Sequence, residues 1–277
     1  MSTIAPATSP HLDAAVDLLR DRTVAVLTGA GVSTDSGIPD YRGEGAPART
    51  PMTFQQFLAD ENYRKRYWAG SHLGWRRFDG AQPNAGHRAI SDLEAAGVVH
   101  GVITQNVDGL HVRAGSRHVV DLHGSMDRVL CLRCGQHYAR ASVAERLTHD
   151  NPWLDVPEQV TLSPDGDVEI RDVDAFRVPE CTVCGGMLKP DVVFFGEFVP
   201  REKFEEARAL LKRADALLIA GSSLIVNSGI RLLEQAARRR LPVVIINRGQ
   251  TKGDNRASLK IDGGTTETLL ELVDRLV

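Results

Sequence analysis

The feature that most constrains the fold is a series of short apolar runs, rich in β-branched residues, with helical patterns between them. These runs lie at residues 24–29, 101–106, 119–124, 216–221 and 242–247. Several of them lack the apolar–polar alternation of a strand with one solvated face, as expected of strands that are covered on both faces. The pattern therefore predicts a parallel sheet in an α/β domain.

The strand–helix alternation stops in the middle of the chain. We expect residues 126–187 to form a small module inserted into a large domain made of residues 1–125 and 188–277. A second segment without strand signals, at about 44–85, is predicted to be helical. A chain of 277 residues agrees with one large domain that carries a small one.

All four cysteines lie in two pairs, Cys131 with Cys134 and Cys181 with Cys184, and a glycine follows each pair. Four thiolates with this spacing can close a tetrahedral site around one zinc ion. Because every ligand position is a thiolate, no position stays open for substrate, and the zinc would be structural. Disulfides are the alternative, and a chain without a secretory signal pattern disfavours them.

The charge balance gives no reason to expect a polyanionic partner. The chain has 33 Lys and Arg against 36 Asp and Glu, a net charge of −3, so no overall positive field attracts nucleic acid or an anionic membrane. No apolar run approaches the roughly 18 residues of a membrane span. We expect a cytoplasmic protein without a direct nucleic-acid or membrane partner, and the oligomeric state stays open.

The stretch GAGVSTDSGIPDYRG begins at Gly29, directly after the first apolar run. Glycines after a strand let phosphate oxygens approach backbone N–H groups, as in dinucleotide-binding folds. Gly29 and Gly31 fit the G-x-G-x-x-G pattern, but Thr34 stands at its third glycine, so a tight structural turn is the alternative. Further small or polar groups follow two other runs, at 221–223 and 247–249, where α/β sheets bind ligands.

A cluster of polar side chains follows the apolar runs in the stretch TQNVDGLHVRAGSRHVVDLHG. Its members are Gln105, Asn106, Asp108 and His123. They stand where a reacting ribose or a water molecule could be held. A histidine at a strand end is more often structural than a base, so the residues alone leave the role of His123 open, and we interpret His111 and His118 as structural.

Together these motifs resemble one family. The ordered set GAGVSTDSGIPDYR, TQNVDGLH, LHG, the two cysteine pairs, KPDVVFFGE, GSSL and the loop at Asn247 is similar to a sirtuin, an NAD-dependent protein-lysine deacylase. The similarity covers nearly the whole chain and is greatest to class II. It implies a Rossmann-like large domain, a smaller zinc-binding domain, and NAD consumed as a co-substrate in the cleft between them.

The resemblance also assigns roles to residues. It implies a pyrophosphate loop with Gly29, Ala30, Gly31 and Ser33, and a segment over the nicotinamide with Asp40, Tyr41 and Arg42. Asn106 and Asp108 would form the nicotinamide pocket, Gln105 would bind the ribose, and His123 would be the general base. The adenosine end would contact Gly221, Ser222, Ser223, Asn247, Arg248, Gly249 and Thr265.

The implied second substrate is an acylated lysine in a protein or peptide. Its backbone would pair as an extra strand between 193–197 and 224–227, contacting Val193, Phe194, Phe195, Gly196, Leu224 and Val226, with one of the two phenylalanines in the core. Sirtuins that prefer succinyl groups carry a Tyr-x-x-Arg motif, and here Gly70 follows Tyr67 at the arginine position, so we predict weak desuccinylation.

Other functions remain as alternatives. The same cleft could transfer ADP-ribose to protein. A zinc-ribbon interaction protein with a degenerate nucleotide domain and a hydride-transferring dehydrogenase are less favoured by these motifs.

Overall fold

A computed structural model describes residues 9–41, 51–154 and 173–277. Its strands are β1 (Val24–Thr28), β2 (Val99–Thr104), β3 (Val119–Asp121), β4 (Gly124–Cys131), β5 (His137–Ala139), β6 (Leu188–Val192), β7 (Ala216–Ala220), β8 (Val243–Ile246) and β9 (Leu259–Ile261). Six strands form a sheet in the order β3-β2-β1-β7-β8-β9, and all neighbours in it are parallel.

The large sheet is covered by helices on both faces. The helices of the described chain are α1 (Ser9–Leu19), α2 (Phe54–Ala59), α3 (Glu61–Gly80), α4 (Ala85–Ala95), α5 (Leu110–Arg113), α6 (Arg140–Asp150), α7 (Arg201–Lys212), α8 (Asn227–Arg238) and α9 (Thr265–Leu276). The sequence of β1 is continuously apolar because both faces of this strand are buried. Val26 packs in the core with α1, α4 and α9, whereas its neighbour Leu27 packs in the core with α7 and α8. Full burial of such a side chain stabilises the fold by about 1.5–3 kcal/mol.

A second, antiparallel sheet of order β5-β4-β6 lies beside α3 and α6. The chain enters it only two residues after β3, through Gly124, whose φ is +82°. A Cβ on Gly124 would overlap the backbone carbonyl of Asp191, so the close pairing of β4 with β6 requires glycine at this position. His123 is therefore held at the junction of the two sheets.

The predicted α/β class with an additional small module is confirmed, and each of the five apolar runs overlaps a strand of the parallel sheet. Pairing places Leu188–Val192 in the small sheet, just beyond the predicted 126–187 module, and the bounds of the two domains stay a prediction. Helices α2 and α3 lie in the segment predicted to be helical, whose residues 44–50 are outside the described part. No helix in the described ranges combines the length and apolar character that crossing a bilayer needs.

Candidate active site at the carboxyl ends of the strands

Two glycine-containing loops meet where β1 and β7 end side by side. Gly31 N donates a hydrogen bond of 2.9 Å to Gly221 O. A Cβ on Gly29 would lie 2.8 Å from Gly221 O, and one on Gly31 would lie 2.9 Å from Gly221 Cα, both closer than real Cβ contacts. The glycines therefore allow the two loops to pack backbone against backbone. This packing requires glycine even when no phosphate is bound.

Ser33 is the centre of a buried hydrogen-bond network. Its Oγ donates to Asp108 Oδ2 at 2.7 Å and accepts from Asn106 Nδ2 at 3.1 Å. His87 Nε2 lies 3.4 Å from the same oxygen, and because His87 Nδ1 accepts from Asn84 N, Nε2 carries the proton. One donated and two accepted bonds satisfy the hydroxyl completely. His87 was not among the residues predicted for the site.

Burial sets the charge of this pocket. It raises the pKa of Asp108 above its ordinary value, although the hydrogen bond from Ser33 acts in the opposite direction. Burial lowers the pKa of His87 to about 4, and that of the fully buried His111 well below its ordinary value. Both imidazoles are thus neutral near pH 7, and the buried position of His111 agrees with its structural interpretation.

His123 is held through both ring nitrogens. Nδ1 lies 2.9 Å from the carbonyl oxygen of Gln105, which can only accept, so Nδ1 carries the proton. Nε2 then has the lone pair and accepts from Ser228 Oγ at 2.8 Å. The atoms packed around the half-buried ring lower its pKa to about 4 through desolvation. A neutral imidazole in this tautomer can take a proton at Nε2.

Gln105 links His123 to the second glycine loop. Ser222 Oγ donates to Gln105 Oε1 at 2.7 Å, and Gln105 Nε2 donates to Ser228 Oγ at 3.4 Å. The structure therefore brings the predicted residues Gln105, Ser222 and His123 into one network. It adds Ser228, from the start of α8, which was not among the predicted residues.

The residues predicted for the adenosine end lie in three loops. Thr265, the first residue of α9, donates from Oγ1 to Gly31 O at 3.1 Å and so joins the glycine loops. Lys260 Nζ donates to the carbonyl oxygens of Asn247 and Gly249, at 2.8 Å each, and fixes the loop after β8. Ser223 and Arg248 lie in the loops that follow β7 and β8.

Of the three residues predicted to cover the nicotinamide, two lie in the part of the chain that the structure describes. Tyr41 is partly exposed, and its ring meets the ring of Phe195 edge to face, with centroids 5.7 Å apart. Asp40 is half-buried, and Arg42 lies outside the described residues. The contact of Tyr41 with Phe195 brings a residue predicted for the cofactor next to one predicted for the peptide.

The predicted peptide segment starts directly at His123. Val193 N donates to His123 O at 2.8 Å, so this histidine lies between the segment after β6 and the start of α8. Phe194 is buried, as expected of one of the two phenylalanines, whereas Phe195 is 37% exposed. Glu197 N donates to Phe194 O at 3.0 Å, and thus the segment turns here.

Part of this segment's backbone is already hydrogen-bonded. Phe54 N donates to Phe195 O at 2.9 Å, and Gln55 Nε2 donates to Gly196 O at 3.1 Å. An added substrate strand would therefore have to use other backbone groups. On the opposite side, Leu224 is buried and Val226 is 38% exposed. The peptide contacts of these residues stay predictions.

The four cysteines form one cluster. Cys131 Sγ lies 3.6 Å from Cys184 Sγ, Cys134 Sγ lies 3.6 Å from Cys181 Sγ, and all four sulfurs lie within 4.8 Å of one another. Sulfurs at about 2.3 Å from a tetrahedral zinc ion would be about 3.8 Å apart. The cysteines are reduced, and their arrangement fits one structural zinc ion with four thiolate ligands.

Fold and site together define a class: a Rossmann-like α/β protein with a dinucleotide cleft and a separate four-cysteine metal centre. A model of the Sir2 family matches residues 29–228. The chain is 52% identical to NAD-dependent protein deacetylase 1 of Mycobacterium avium, over 99% of this chain and 98% of that protein. It is 47% identical to the mitochondrial NAD-dependent protein lipoamidase sirtuin-4 of Bos taurus, over 91% of this chain and 82% of that protein.

A solved structure of Sir2 with a p53 peptide and NAD⁺ superimposes with a TM-score of 0.71 at 31% identity, covering 95% of this chain and 97% of that one. The chain therefore belongs to the Sir2 family, the NAD-dependent protein deacylases. The predicted resemblance to sirtuins is confirmed, and a sirtuin-4 is among the relatives that the chain resembles.

Proposed function

We propose that this chain removes an acyl group from a lysine side chain of a protein or peptide, consuming NAD and releasing nicotinamide, O-acyl-ADP-ribose and free lysine. One observation carries this proposal: the neutral ring of His123 lies between the polar pocket of Gln105 and the predicted peptide segment, with a basic Nε2. The p53 peptide and NAD⁺ in the related Sir2 structure support the same pair of substrates here.

In this proposal the two glycine loops form one wall of the dinucleotide cleft. Side chains at Gly29, Gly31 or Gly221 would collide with the backbone of the facing loop, so glycine at these positions keeps the two loops packed together. We assign the pyrophosphate to the loop of 29–33 and to Gly221–Ser223, and the nicotinamide end to the pocket around Asn106 and Asp108. Bound there, NAD supplies an electrophilic ribose carbon and nicotinamide as a leaving group.

His123 acts as the general base in this proposal. The acyl oxygen first displaces nicotinamide from the ribose and gives an alkylimidate. Nε2 of His123 then accepts a proton relayed from the ribose hydroxyls, so that the 2′-hydroxyl oxygen attacks the imidate carbon. The Gln105 carbonyl keeps the proton of the neutral ring on Nδ1, so that the basic nitrogen faces away from the backbone. A positioned base of this kind contributes about 10²–10⁴-fold to a rate.

The acylated peptide would enter between 193–197 and 224–227 as an added strand. Main-chain pairing of this type recognises backbone, so preference for the substrate sequence should be loose. Phe195 in the first segment and Val226 in the second have partly exposed side chains, which supports their assignment as peptide contacts. We also place the reaction in the cytoplasm, since the M. avium relative, a bacterial deacetylase, matches almost over its full length.

The zinc ion supports the site without taking part in the reaction. Four thiolates leave no open position for a substrate or water. The cluster lies at the far end of β4 from Gly124, and the small sheet that it closes holds Val193 against His123. We expect zinc to act on catalysis only through the position of these two residues.

The experiment that tests the function combines NAD with a panel of acyl-lysine peptides. Peptide-dependent nicotinamide release, with O-acyl-ADP-ribose identified by mass spectrometry, is the expected result. Loss of this product in a His123→Ala variant would support the assigned base. No nicotinamide release from any peptide would contradict a deacylase. Adenine-labelled NAD whose label stays on protein would indicate ADP-ribosyl transfer instead.

A further inference from the structure

The Nε2 atom of His123 already has a protein partner in this structure. The Ser228 hydroxyl donates to it at 2.8 Å, a good distance for such a bond. The two residues are 105 positions apart in the chain, one at the sheet junction and one in the first turn of α8. The nitrogen that would take the substrate's proton is therefore engaged by a second hydroxyl before any substrate arrives.

The direction of the Ser228 hydroxyl is determined by its neighbours. Gln105 Nε2 donates to Ser228 Oγ at 3.4 Å, and Ser222 fixes the Gln105 amide by donating to its Oε1 at 2.7 Å. Since the Ser228 oxygen faces the amide, its hydrogen is directed towards the imidazole. Both nitrogens of His123 are thus oriented through Gln105, one by its carbonyl and one by its side chain through Ser228.

The residue after Ser228 is Gly229, and its lack of a side chain leaves room for the Gln105 amide. A Cβ on Gly229 would lie 3.1 Å from Gln105 Nε2 and 3.1 Å from Leu224 Cδ2. Such contacts are tighter than most real ones, so a larger residue would displace either the amide or the leucine. Gly229 therefore leaves the Gln105 side chain where it can orient Ser228.

We propose that Ser228 is a positioning residue for the deacylation step: it aims the neutral ring of His123 and then accepts a hydrogen bond from the protonated ring. This inference rests on the proposed role of His123 as the base. In that step an O–H bond of the ribose breaks and an N–H bond forms at Nε2. The proton stays on His123, and Ser228 keeps its own proton.

A hydroxyl suits both states of the ring because it can donate or accept. Before the substrate binds it donates to the single lone pair of Nε2, and its hydrogen has to turn away from that lone pair before Nε2 can take the ribose proton. After transfer the hydroxyl oxygen accepts from the new Nε2–H, and hydrogen bonds to an ionised group are roughly twice as strong as neutral ones. Ser228 therefore stabilises the imidazolium more than the imidazole and favours proton transfer.

The test compares Ser228→Ala and Ser228→Thr with the wild type in two reactions. Nicotinamide exchange into NAD in the presence of acyl peptide reports nicotinamide displacement, which precedes the base. Product formation requires the base. Ser116→Ala is the matched control, because Ser116 is also buried and its hydroxyl has no hydrogen-bond partner among the described residues.

We expect Ser228→Ala to lower kcat for product formation about tenfold, which is part of the 10²–10⁴-fold that a general base contributes to a rate. The rate of nicotinamide exchange and the KM for NAD should change less than about twofold. Ser228→Thr, which retains the hydroxyl, should recover most of the rate. The ¹⁵N signal of His123 Nε2 should move towards that of a free imidazole nitrogen in Ser228→Ala only. Ser116→Ala should match the wild type in all these measurements.

Two results would overturn the inference alone: Ser228→Ala with unchanged product formation while His123→Ala is inactive, or equal losses in exchange and product formation. Equal losses would mean that Ser228 only shapes the pocket. A His123→Ala variant that still forms product would overturn the assigned base itself, and the inference would fall with it. The His123 variant thus separates the two failures.

Discussion

The Ser33 hydroxyl donates a hydrogen bond of 2.7 Å to the carboxylate of Asp108, and both residues are buried. This bond joins the loop after β1 to the loop after β2. It also opposes the effect of burial on Asp108, whose pKa is raised by desolvation and lowered by the serine. The pocket assigned to nicotinamide thus depends on one hydroxyl that connects three other side chains.

Replacing Ser33 with alanine should damage this pocket. The variant removes the partner of Asp108 Oδ2 and one of the two hydrogen bonds that Asn106 Nδ2 donates, which costs about 1–3 kcal/mol. The pKa of Asp108 should rise further, because its hydrogen bond from Ser33 is lost. We expect weaker NAD binding by calorimetry and a lower midpoint in urea. Equal NAD affinity in Ser33→Ala and Ser116→Ala would contradict the assigned role.

Replacing Gly221 with alanine should separate the two glycine loops. The residue has φ +62°, and a Cβ would lie 2.5 Å from Val32 N, an atom of fixed backbone. Gly97→Ala is the matched control, since Gly97 has φ +79° and nothing within 4 Å of the added Cβ. Both variants carry the left-handed backbone cost of about 1–2 kcal/mol.

We expect only Gly221→Ala to lose NAD binding in addition to stability. Calorimetric titration with NAD and thermal unfolding measure the two effects. If both variants bound NAD like the wild type, the loop packing would not matter for the cofactor.

Removing the zinc ion should unfold the small sheet. Wild-type protein should contain one zinc ion by elemental analysis, and chelation or Cys181→Ser should remove it and lower the melting temperature. Tyr138→Phe is a graded control, because the tyrosine hydroxyl lies 3.1 Å from Cys181 Sγ but is not one of the four thiolates. Loss of such an outer contact typically weakens metal affinity about 10–100-fold. A metal-free protein with an unchanged melting temperature would disprove the structural role.

Acid should destabilise the fold through buried neutral histidines. Burial lowers the pKa of His72 from 6.5 to about 4, so between these pH values the unfolded chain binds a proton that the folded chain does not. The free energy of unfolding therefore falls as the pH drops, by about 2 kcal/mol for this residue between pH 7 and 5. Urea unfolding of His72→Gln should show a smaller pH dependence than the wild type. The exposed His149→Gln is the control, and an equal dependence in all three proteins would refute the argument.

The acyl preference gives a further test. Gly70 offers no guanidinium for the distal carboxylate of a succinyl group, and a hydrogen bond to a charged group contributes about 1.5–3 kcal/mol. We expect kcat/KM for a succinyl-lysine peptide to be at least about tenfold below that for the acetyl-lysine peptide of the same sequence. Comparable values for the two peptides would show that another group receives the carboxylate.

The large sheet was predictable because its central strands are buried on both faces and therefore consist of continuous apolar runs. The strand β9 was not predicted, since its three residues include the polar Lys260 and are too short for a pattern. The four-cysteine cluster followed from spacing, because ligand chemistry restricts which residues can surround zinc.

The side chains that orient the site were not predictable in the same way. His87 and Ser228 carry no local signal, and each contacts its partner across a large sequence separation, 54 residues for Ser33 and 105 for His123. These contacts exist because β1, β2 and β7 end at the same edge of the sheet and His123 stands at the entry to the second sheet.

The amino-acid sequence by itself therefore determined the class of fold, the metal ligands and the chemical groups available for catalysis, since these depend on local periodicity and residue type. Tertiary structure decided the tautomer of His123, the neutral state of the buried imidazoles and the partnership with Ser228. Those properties depend on which atoms surround a group and exclude water from it, and only the packing of distant segments establishes that environment.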